Sequence, residues 1–279
     1  MIGNDIATRA NRLVYDAMQA GEYMVDAPHL SHESIRSLYV QMVSSAFEIA
    51  SQDGLVPTVL DLGAGDGIAT KPFLSLGAHV VAVDISMQQL AQLRAECAEY
   101  GDRIEIRCAD VFEVLGEDRK FDIVVANSFL HHVPDYLSLV ARASDVLSER
   151  GILMTFQDPM WGKSITPRDA LLSGIVYLIW RLGRADVLRG IGRKLRRTLG
   201  IYSATSIYDN AEYHAVRDGV NQIAIQQMLE KKGWQCSVVE YCSFHSMKLQ
   251  PLGEKLGVKN TFAIIATRGG NLENAKTSI

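Results

Sequence analysis

The chain has 279 residues, 48% of them hydrophobic and 22% charged, with a formal net charge of −4. That length admits one α/β domain plus a cap, and the composition is that of a globular protein rather than a disordered or fibrous one. A mildly acidic chain makes no case for nucleic-acid binding, and the polar start Met1–Ala10, with Asp5 and no apolar run, does not read as a secretory signal.

In chain order, Ile6, Ala10, Leu13, Val14, Ala17 and Met18 recur at helical spacing, and Gly21 breaks that helix. Ser31 is placed to cap a second helix with Ile35, Leu38, Tyr39, Met42, Val43, Ala46 and Phe47 on its apolar face. The apolar run Thr58–Leu62 then ends in Gly63-Ala64-Gly65-Asp66-Gly67 and is followed by the amphipathic stretch Ile68–Leu76. Strand, tight loop and helix in that order open a doubly wound sheet, whose ligands bind beyond the carboxyl ends of the strands. A helix N-terminus welcomes a pyrophosphate, but Asp61 and Asp66 would repel one. They suit a ligand with cationic groups, such as S-adenosylmethionine with its ammonium and sulfonium charges. Asp66 is equally a helix-capping residue type.

Val80–Val83 reads as a buried strand ending at Asp84, whose carboxylate can accept hydrogen bonds from ribose hydroxyls, a feature shared with nicotinamide enzymes. Ser86 and Gln89 form a potential capping box for a helix over Asp84–Tyr100 with Leu90, Leu93 and Cys97 inward. Ile104–Arg107 alternates like a strand and leads to Asp110, positioned for an adenine amino group. Phe121–Asn127 is a fourth strand, running into Ser128-Phe129-Leu130-His131-His132-Val133. Gly151–Gln157 is a fifth, leaving through Asp158-Pro159-Met160-Trp161.

The succession Val59–Gly67, Val80–Ser86, Asp110-Val111, Phe121–Val133 and Gly151–Phe156 resembles the class I S-adenosylmethionine-dependent methyltransferases, most of all the small-molecule group that includes the ubiquinone and menaquinone type enzymes. The resemblance implies a Rossmann-like sheet of seven strands, the last antiparallel. It implies an N-terminal helical lid over 1–54, a cofactor-binding core over 55–161, an inserted cap over 162–218, a C-terminal part of the core over 219–268 and a flexible tail over 269–279. It implies S-adenosylmethionine as cofactor, held by Asp61, Gly63, Ala64, Gly65, Asp84, Ile85, Gln89, Asp110, Val111, Asn127 and Ser128. Tyr15, Tyr23 and His29 of the lid become candidates for substrate contact. Leu130-His131-His132-Val133 is similar to the Leu-His-Asp-Trp stretch of many O-methyltransferases, whose histidine is the general base. That likeness favours His131 as base, with His132 beside it, although the second position is His here and not Asp.

Past the fifth strand, Asp158 is a candidate to hold a substrate hydroxyl or amine, and Trp161 to form an apolar or cation-binding wall. Ala170–Trp180 is apolar but too short to span a bilayer, which takes about 20 residues. Arg181, Arg184, Arg189, Arg193, Lys194, Arg196 and Arg197 follow, opposed only by Asp186. Residues 170–197 therefore point to a phosphate-bearing or lipid-linked substrate or a membrane surface, or else to a solvated charged face. The polar cluster Asp209–His214 adds Tyr213 as a substrate contact and His214 as a further base candidate. A helix over 219–233 and strands at Cys236–Tyr241 and Asn260–Thr267 complete the core.

The expected reaction is methyl transfer to oxygen, or nitrogen, of a small, partly apolar metabolite. A cofactor-binding relative without transfer and a nicotinamide-dependent oxidoreductase are the alternatives. The pattern holds no metal-ligand set, and Cys97, Cys108, Cys236 and Cys242 are expected as reduced thiols of a cytoplasmic protein.

Overall fold

A computed structural model describes residues 2–17, 32–182 and 206–268. Seven strands form one sheet: β1 Thr58–Leu62, β2 His79–Asp84, β3 Ile104–Cys108, β4 Phe121–Asn127, β5 Leu147–Pro159, β6 Gln235–Tyr241 and β7 Thr261–Thr267. Their order is β3-β2-β1-β4-β5-β7-β6. The first five run parallel, and β7 pairs antiparallel with both β5 and β6. This is the expected α/β arrangement with the last strand reversed. The order turns between β1 and β4, which is where a doubly wound sheet opens a crevice.

The described residues form ten α-helices: α1 Ile2–Asp16, α2 Glu33–Ala50, α3 Thr70–Leu76, α4 Met87–Glu96, α5 Val111–Val114, α6 Tyr136–Asp145, α7 Pro167–Leu182, α8 Ile207–Ala211, α9 Gln222–Lys231 and α10 Gln250–Lys255. Alternation along the strands divides the core into two apolar layers. Val59, Val80, Ala82, Ile123 and Val125 face α2, α3 and α4 through Met42, Phe73 and Leu93. Leu60, Leu62, Val83 and Val124 face α5, α6 and α9 through Val114, Leu139 and Leu229. At the amino end of β4, Asp122 accepts from Thr58 N (2.9 Å) and Thr58 Oγ1 (2.8 Å) and from Ser148 Oγ (3.2 Å). One carboxylate thus pins the starts of β1, β4 and β5 in register.

Several boundaries differ from the sequence reading. The helix expected over Asp84–Tyr100 starts only at Met87, because Ser86 is its N-cap and accepts from Gln89 N at 3.2 Å. It gives way to a tight turn over Ala98–Arg103, where Gly101 takes a φ of 53°. The Gln89 side chain does not close the reciprocal half of a capping box; it reaches Tyr15 O at 3.5 Å. Asp66 caps nothing: Ala69 is the N-cap of α3 and no side chain bonds there. In α1 the buried residues are Ala7, Ala10 and Asn11, while Ile6 and Leu13 are about half exposed (48% and 51%). The helix turns its small and polar side inward because it lies over a polar cleft and not over the apolar core.

Tyr23, His29, Arg184–Arg197 and the tail 269–279 lie outside the described residues. Among those described, no helix is long and apolar enough to cross a membrane, and all four cysteines are free.

Candidate active site

One cleft opens at the carboxyl ends of β1, β2 and β4, under α1, and encloses about 980 Å³ including its mouth. Its wall contains Asp61, Gly63, Ala64, Gly65, Asp84, Ile85, Gln89, Asp110, Val111, Asn127 and Ser128 together. All eleven residues assigned to a cofactor from sequence therefore meet in one place. Thr8, Asn11, Asp66, Ile68, Phe112, Phe129 and Val133 also line it.

The glycine loop is shaped for close approach. Gly63 has φ 72°, and a Cβ there would fall 2.2 Å from the Phe129 ring. Gly65 has φ 53° with open space where a side chain would be. The loop's amides are already committed: Gly63 N and Ala64 N donate to Val83 O (2.9 and 3.0 Å), and Gly65 N to Asp84 Oδ2 (2.9 Å). Few donors are left here for a pyrophosphate, and the carboxylates of Asp61 and Asp66 stand beside them.

Asp61 is 1% exposed. Its Oδ2 accepts from Thr70 Oγ1 at 2.6 Å, while Oδ1 has no partner. Burial, with the charge of Asp84 adding to it and the Thr70 bonds opposing it, raises the Asp61 pKa to about 7. Asn127 Oδ1 is a second buried acceptor without a partner. Unpaired buried acceptors are costly, and these two lie where a cationic group of a ligand would satisfy them. Asp84 Oδ1 accepts from Ser86 N at 2.8 Å; burial raises its pKa against the backbone bonds of Ser86, Gly65 and Ile85. Asp110 caps α5 through Phe112 N (2.8 Å) and accepts from Thr8 Oγ1 at 3.4 Å. The carboxylates of Asp84 and Asp110 keep free lone pairs toward the cleft, as hydroxyl and amino donors require.

The two adjacent histidines are in different states. His132 lines the cleft; His131 does not. His132 Nδ1 lies 2.7 Å from Ala211 O. A carbonyl only accepts, so Nδ1 carries the hydrogen and Nε2 carries the lone pair. Tyr15 OH, 3.0 Å away, donates to Nε2. Burial and the neighbouring charge of His131 lower the His132 pKa to about 4. His131 Nδ1 is 2.8 Å from Asp158 Oδ1, which also accepts His131 N at 3.0 Å, and its Nε2 is 3.6 Å from Glu212 Oε2. Burial works against its charge, but the bond to Asp158 and the charges of Asp158 and Glu212 prevail, and the His131 pKa is raised. The placement favours His132 over the sequence preference for His131 as base: the His131 ring is engaged with Asp158 and Glu212 and does not line the cleft.

Among the other candidates, Tyr15 reaches the cleft. Asp158 is fully buried and engaged with His131. Neither Trp161, Tyr213 nor His214 lines it. His214 Nε2 meets Pro134 O at 3.0 Å, and its amide donates to His131 O at 2.7 Å. It fastens the turn after α8 to the loop after β4. Tyr213 stacks under Arg217 at 3.9 Å, and Trp161 under Lys163 at 5.5 Å. Sequence reasoning missed Thr8, Asn11 and Glu212, polar residues that gain meaning only when α1 and the turn after α8 fold over the cleft. Among the described residues, His131, His132 and Glu212 are also the one group whose ligand-type atoms all fall within 4.8 Å of one another, a cluster no spacing in the sequence suggested.

The sheet order and the glycine loop agree with a direct comparison: residues 60–155 match the family model described as a methyltransferase domain. Over that stretch, about a third of its length, the chain is similar to methyltransferase domains. A ubiquinone biosynthesis O-methyltransferase of Bradyrhizobium sp. (strain ORS 278) is 34% identical over 96 residues, 34% of this chain and 38% of that relative. The match thus spans well under half of that relative's length. In fold, a putative sarcosine dimethylglycine methyltransferase from Galdieria sulphuraria superposes with a TM-score of 0.55 at 16% identity, covering 84% of this chain and 88% of that one. The magnesium protoporphyrin IX methyltransferase of Synechocystis PCC 6803 with bound SAH gives 0.51 at 17% identity over 96% and 98%. The matched stretch ends before Asp158 and excludes α1 and α8, which bring Tyr15 and Ala211 to His132.

Proposed function

We propose that the protein is an S-adenosylmethionine-dependent methyltransferase that methylates an oxygen of a small, partly apolar acceptor, with His132 as the proton acceptor. The observation that carries the reading is the His132 ring: neutral, with Nε2 turned into the cleft and already receiving a hydroxyl hydrogen from Tyr15. An acceptor hydroxyl entering the cleft takes the place of the Tyr15 hydroxyl. Ala211 O fixes the tautomer and aim of the ring, and general-base assistance of this kind contributes about 10²–10⁴-fold.

When bound, the cofactor supplies an activated methyl group on a sulfonium with a good leaving group. The chain's own residues hold and orient. Asp84 takes the ribose hydroxyls, Asp110 the adenine amino group, and Asp61 and Asn127 the ammonium end, which would satisfy the two unpaired acceptors there. Phe129, Val133 and Ile85 give the cleft its apolar side, which favours an acceptor with an apolar or aromatic body. Oxygen is preferred over nitrogen because a neutral histidine is needed for a hydroxyl, and because the matched relatives are named O-methyltransferases.

The test is equilibrium titration with S-adenosylmethionine, S-adenosylhomocysteine and NADH. Binding of both adenosyl ligands and not NADH is expected; NADH alone would refute the cofactor assignment. With binding established, a screen of phenolic and other hydroxylated acceptors that yields no methyl transfer under any condition would favour a binding-only relative.

A further inference from the structure

Among the described residues, two that are not glycine take left-handed backbone angles, and they are neighbours in space. Ser128 has φ 52° and Gln157 φ 64°. The residues before them, Asn127 and Phe156, pair at the end of the β4–β5 ladder, and Ser128 N donates to Phe156 O at 2.7 Å. An L side chain at such an angle is strained and persists only where its surroundings hold it. The two bends have one product. Ser128 leads into the loop that carries His131 and His132, and Gln157 leads into Asp158. The Asp158 carboxylate thereby meets His131 N (3.0 Å) and His131 Nδ1 (2.8 Å), and the His131 ring packs on the His132 ring with centroids 4.0 Å apart. The hold on Gln157 comes from β6, two strands away. Gln157 N donates to Tyr241 OH at 3.2 Å, and Tyr241 OH donates to Gln157 Oε1 at 3.1 Å. One hydroxyl thus ties the amide and the side chain of the same residue, using its single hydrogen and a lone pair. Gln157 Nε2 donates to Ser243 Oγ at 2.7 Å.

We propose that Tyr241 is a positioning residue for the methyl-transfer site: through Gln157 its hydroxyl holds Asp158 on His131, and so sets where the His132 ring stands. Tyr241 is not part of the cleft wall, so it acts through these residues and touches neither cofactor nor acceptor. Gln157 is buried. Without the hydroxyl its amide loses that partner in a place where a lost hydrogen bond is costly, and nothing then opposes relaxation of the backbone to an ordinary strand angle. In a strand successive side chains alternate between faces, so that relaxation would carry the Asp158 carboxylate away from His131. The effect on turnover rests on the reading of His132 as proton acceptor; the effect on the Asp158–His131 contact does not.

The test is Tyr241→Phe, which keeps the ring and its stacking on Phe156 and removes only the hydroxyl. Three quantities are read: kcat, S-adenosylmethionine affinity by titration, and the proton NMR signal of His131 Nδ1–H. The bond to the Asp158 carboxylate shifts that signal downfield, and its loss in His131→Asn assigns it. In Tyr241→Phe the signal should move or broaden and kcat should fall about tenfold to a hundredfold, as small displacements of a reacting group cost, with cofactor affinity unchanged. Adding Gln157→Gly to Tyr241→Phe should restore the signal and most of kcat, because glycine takes φ 64° without strain; adding Gln157→Ala should restore neither. Rescue by glycine and not by alanine is a response that a packing role for Tyr241 would not give. Circular dichroism and thermal unfolding report whether Tyr241→Phe folds. Should it not, Gln157→Ala alone must displace the His131 signal while Gln157→Gly alone keeps it. An unmoved signal in folded Tyr241→Phe, or equal behaviour of the glycine and alanine variants, overturns the proposal. A displaced signal with unchanged kcat upholds the hold on Asp158 and refutes the reading of His132.

Discussion

Replacing Asp61 by Asn should make the ligand-free protein more stable and its cofactor site weaker. The Asp61 carboxylate is buried, with one oxygen on Thr70 and the other unpaired, and its pKa stands at about 7 against an ordinary 3.8. At about 1.4 kcal/mol per pH unit, that rise corresponds to about 4 kcal/mol lost by the folded state once the group is ionised in both states. The folded pKa is the higher one, so the loss is absent below 3.8, grows as pH rises and is complete above about 7. Asn removes the charge and keeps an acceptor for Thr70, at a cost of about 1 kcal/mol for the weaker bond. A net gain of about 3 kcal/mol is expected at pH 8, shrinking toward pH 4, read from urea unfolding of the two proteins across that range. For the wild type, S-adenosylmethionine affinity should fall by up to about tenfold per pH unit below 7, since an ammonium must recruit the ionised form. Equal urea midpoints at pH 8, or a difference that does not vary with pH, would refute the reasoning about Asp61.

Further outcomes concern the acceptor side and the loop. His132→Asn should lower turnover by about 10²–10⁴-fold while titration with S-adenosylmethionine stays near wild type; full activity would remove His132 from the chemistry. The wild-type kcat/KM profile should show no His132 loss between pH 8 and pH 5, because a ring with a pKa of about 4 keeps its lone pair until the pH falls to that value. Tyr15→Phe removes the hydroxyl that occupies Nε2, so the acceptor KM should drop severalfold with cofactor affinity unchanged; a raised KM would make Tyr15 a substrate contact instead. Gly63→Ala forces a Cβ to 2.2 Å from Phe129 at a φ of 72°. A loss of about 1–3 kcal/mol in thermal unfolding, together with weakened cofactor binding, is expected.

The meeting of the proposed cofactor residues in one cleft was legible because it is local. Asp61, Gly63 and Gly65 lie on one strand–turn, Asp84 at the next strand end and Asp110 at the third, and the parallel register alone carries them to a common edge. The acceptor half was not legible, because it depends on contacts between distant parts of the chain. His132 gets its tautomer from Ala211 and its hydroxyl partner from Tyr15, separated from it by 79 and 117 positions. No spacing in the sequence announces either. The difference between His131 and His132 is hidden in the sequence for the same reason: the motif places both rings at the crevice, and the carboxylates that engage His131, Asp158 and Glu212, come from other parts of the chain. In α1 the helical period was right but the buried face was not, since periodicity assumes an apolar partner and α1 covers polar groups such as Asp110 and Ser86, bonded to Thr8 and Asp16.

The same division explains why likeness to known methyltransferases stops short of the substrate. The matched stretch, residues 60–155, contains the residues proposed for the cofactor and both histidines, while the groups bonded to or paired with their rings lie outside it. Asp158 comes from the bulged end of β5, where Gln157 takes a φ of 64° and the pairing with β7 shifts register. That irregularity turns the Asp158 carboxylate to the His131 ring. Glu212 and Ala211 come from beyond α7, and Tyr15 from the N-terminal helix. A variant that alters only these flanking contributors should therefore change which acceptor is deprotonated, and at what pH, without disturbing cofactor affinity. Swapping α1 and the α8 turn between this chain and a related domain would move acceptor choice with the swapped segments; if acceptor choice stayed with residues 60–155 instead, the assignment of the acceptor side to the flanking segments would fail.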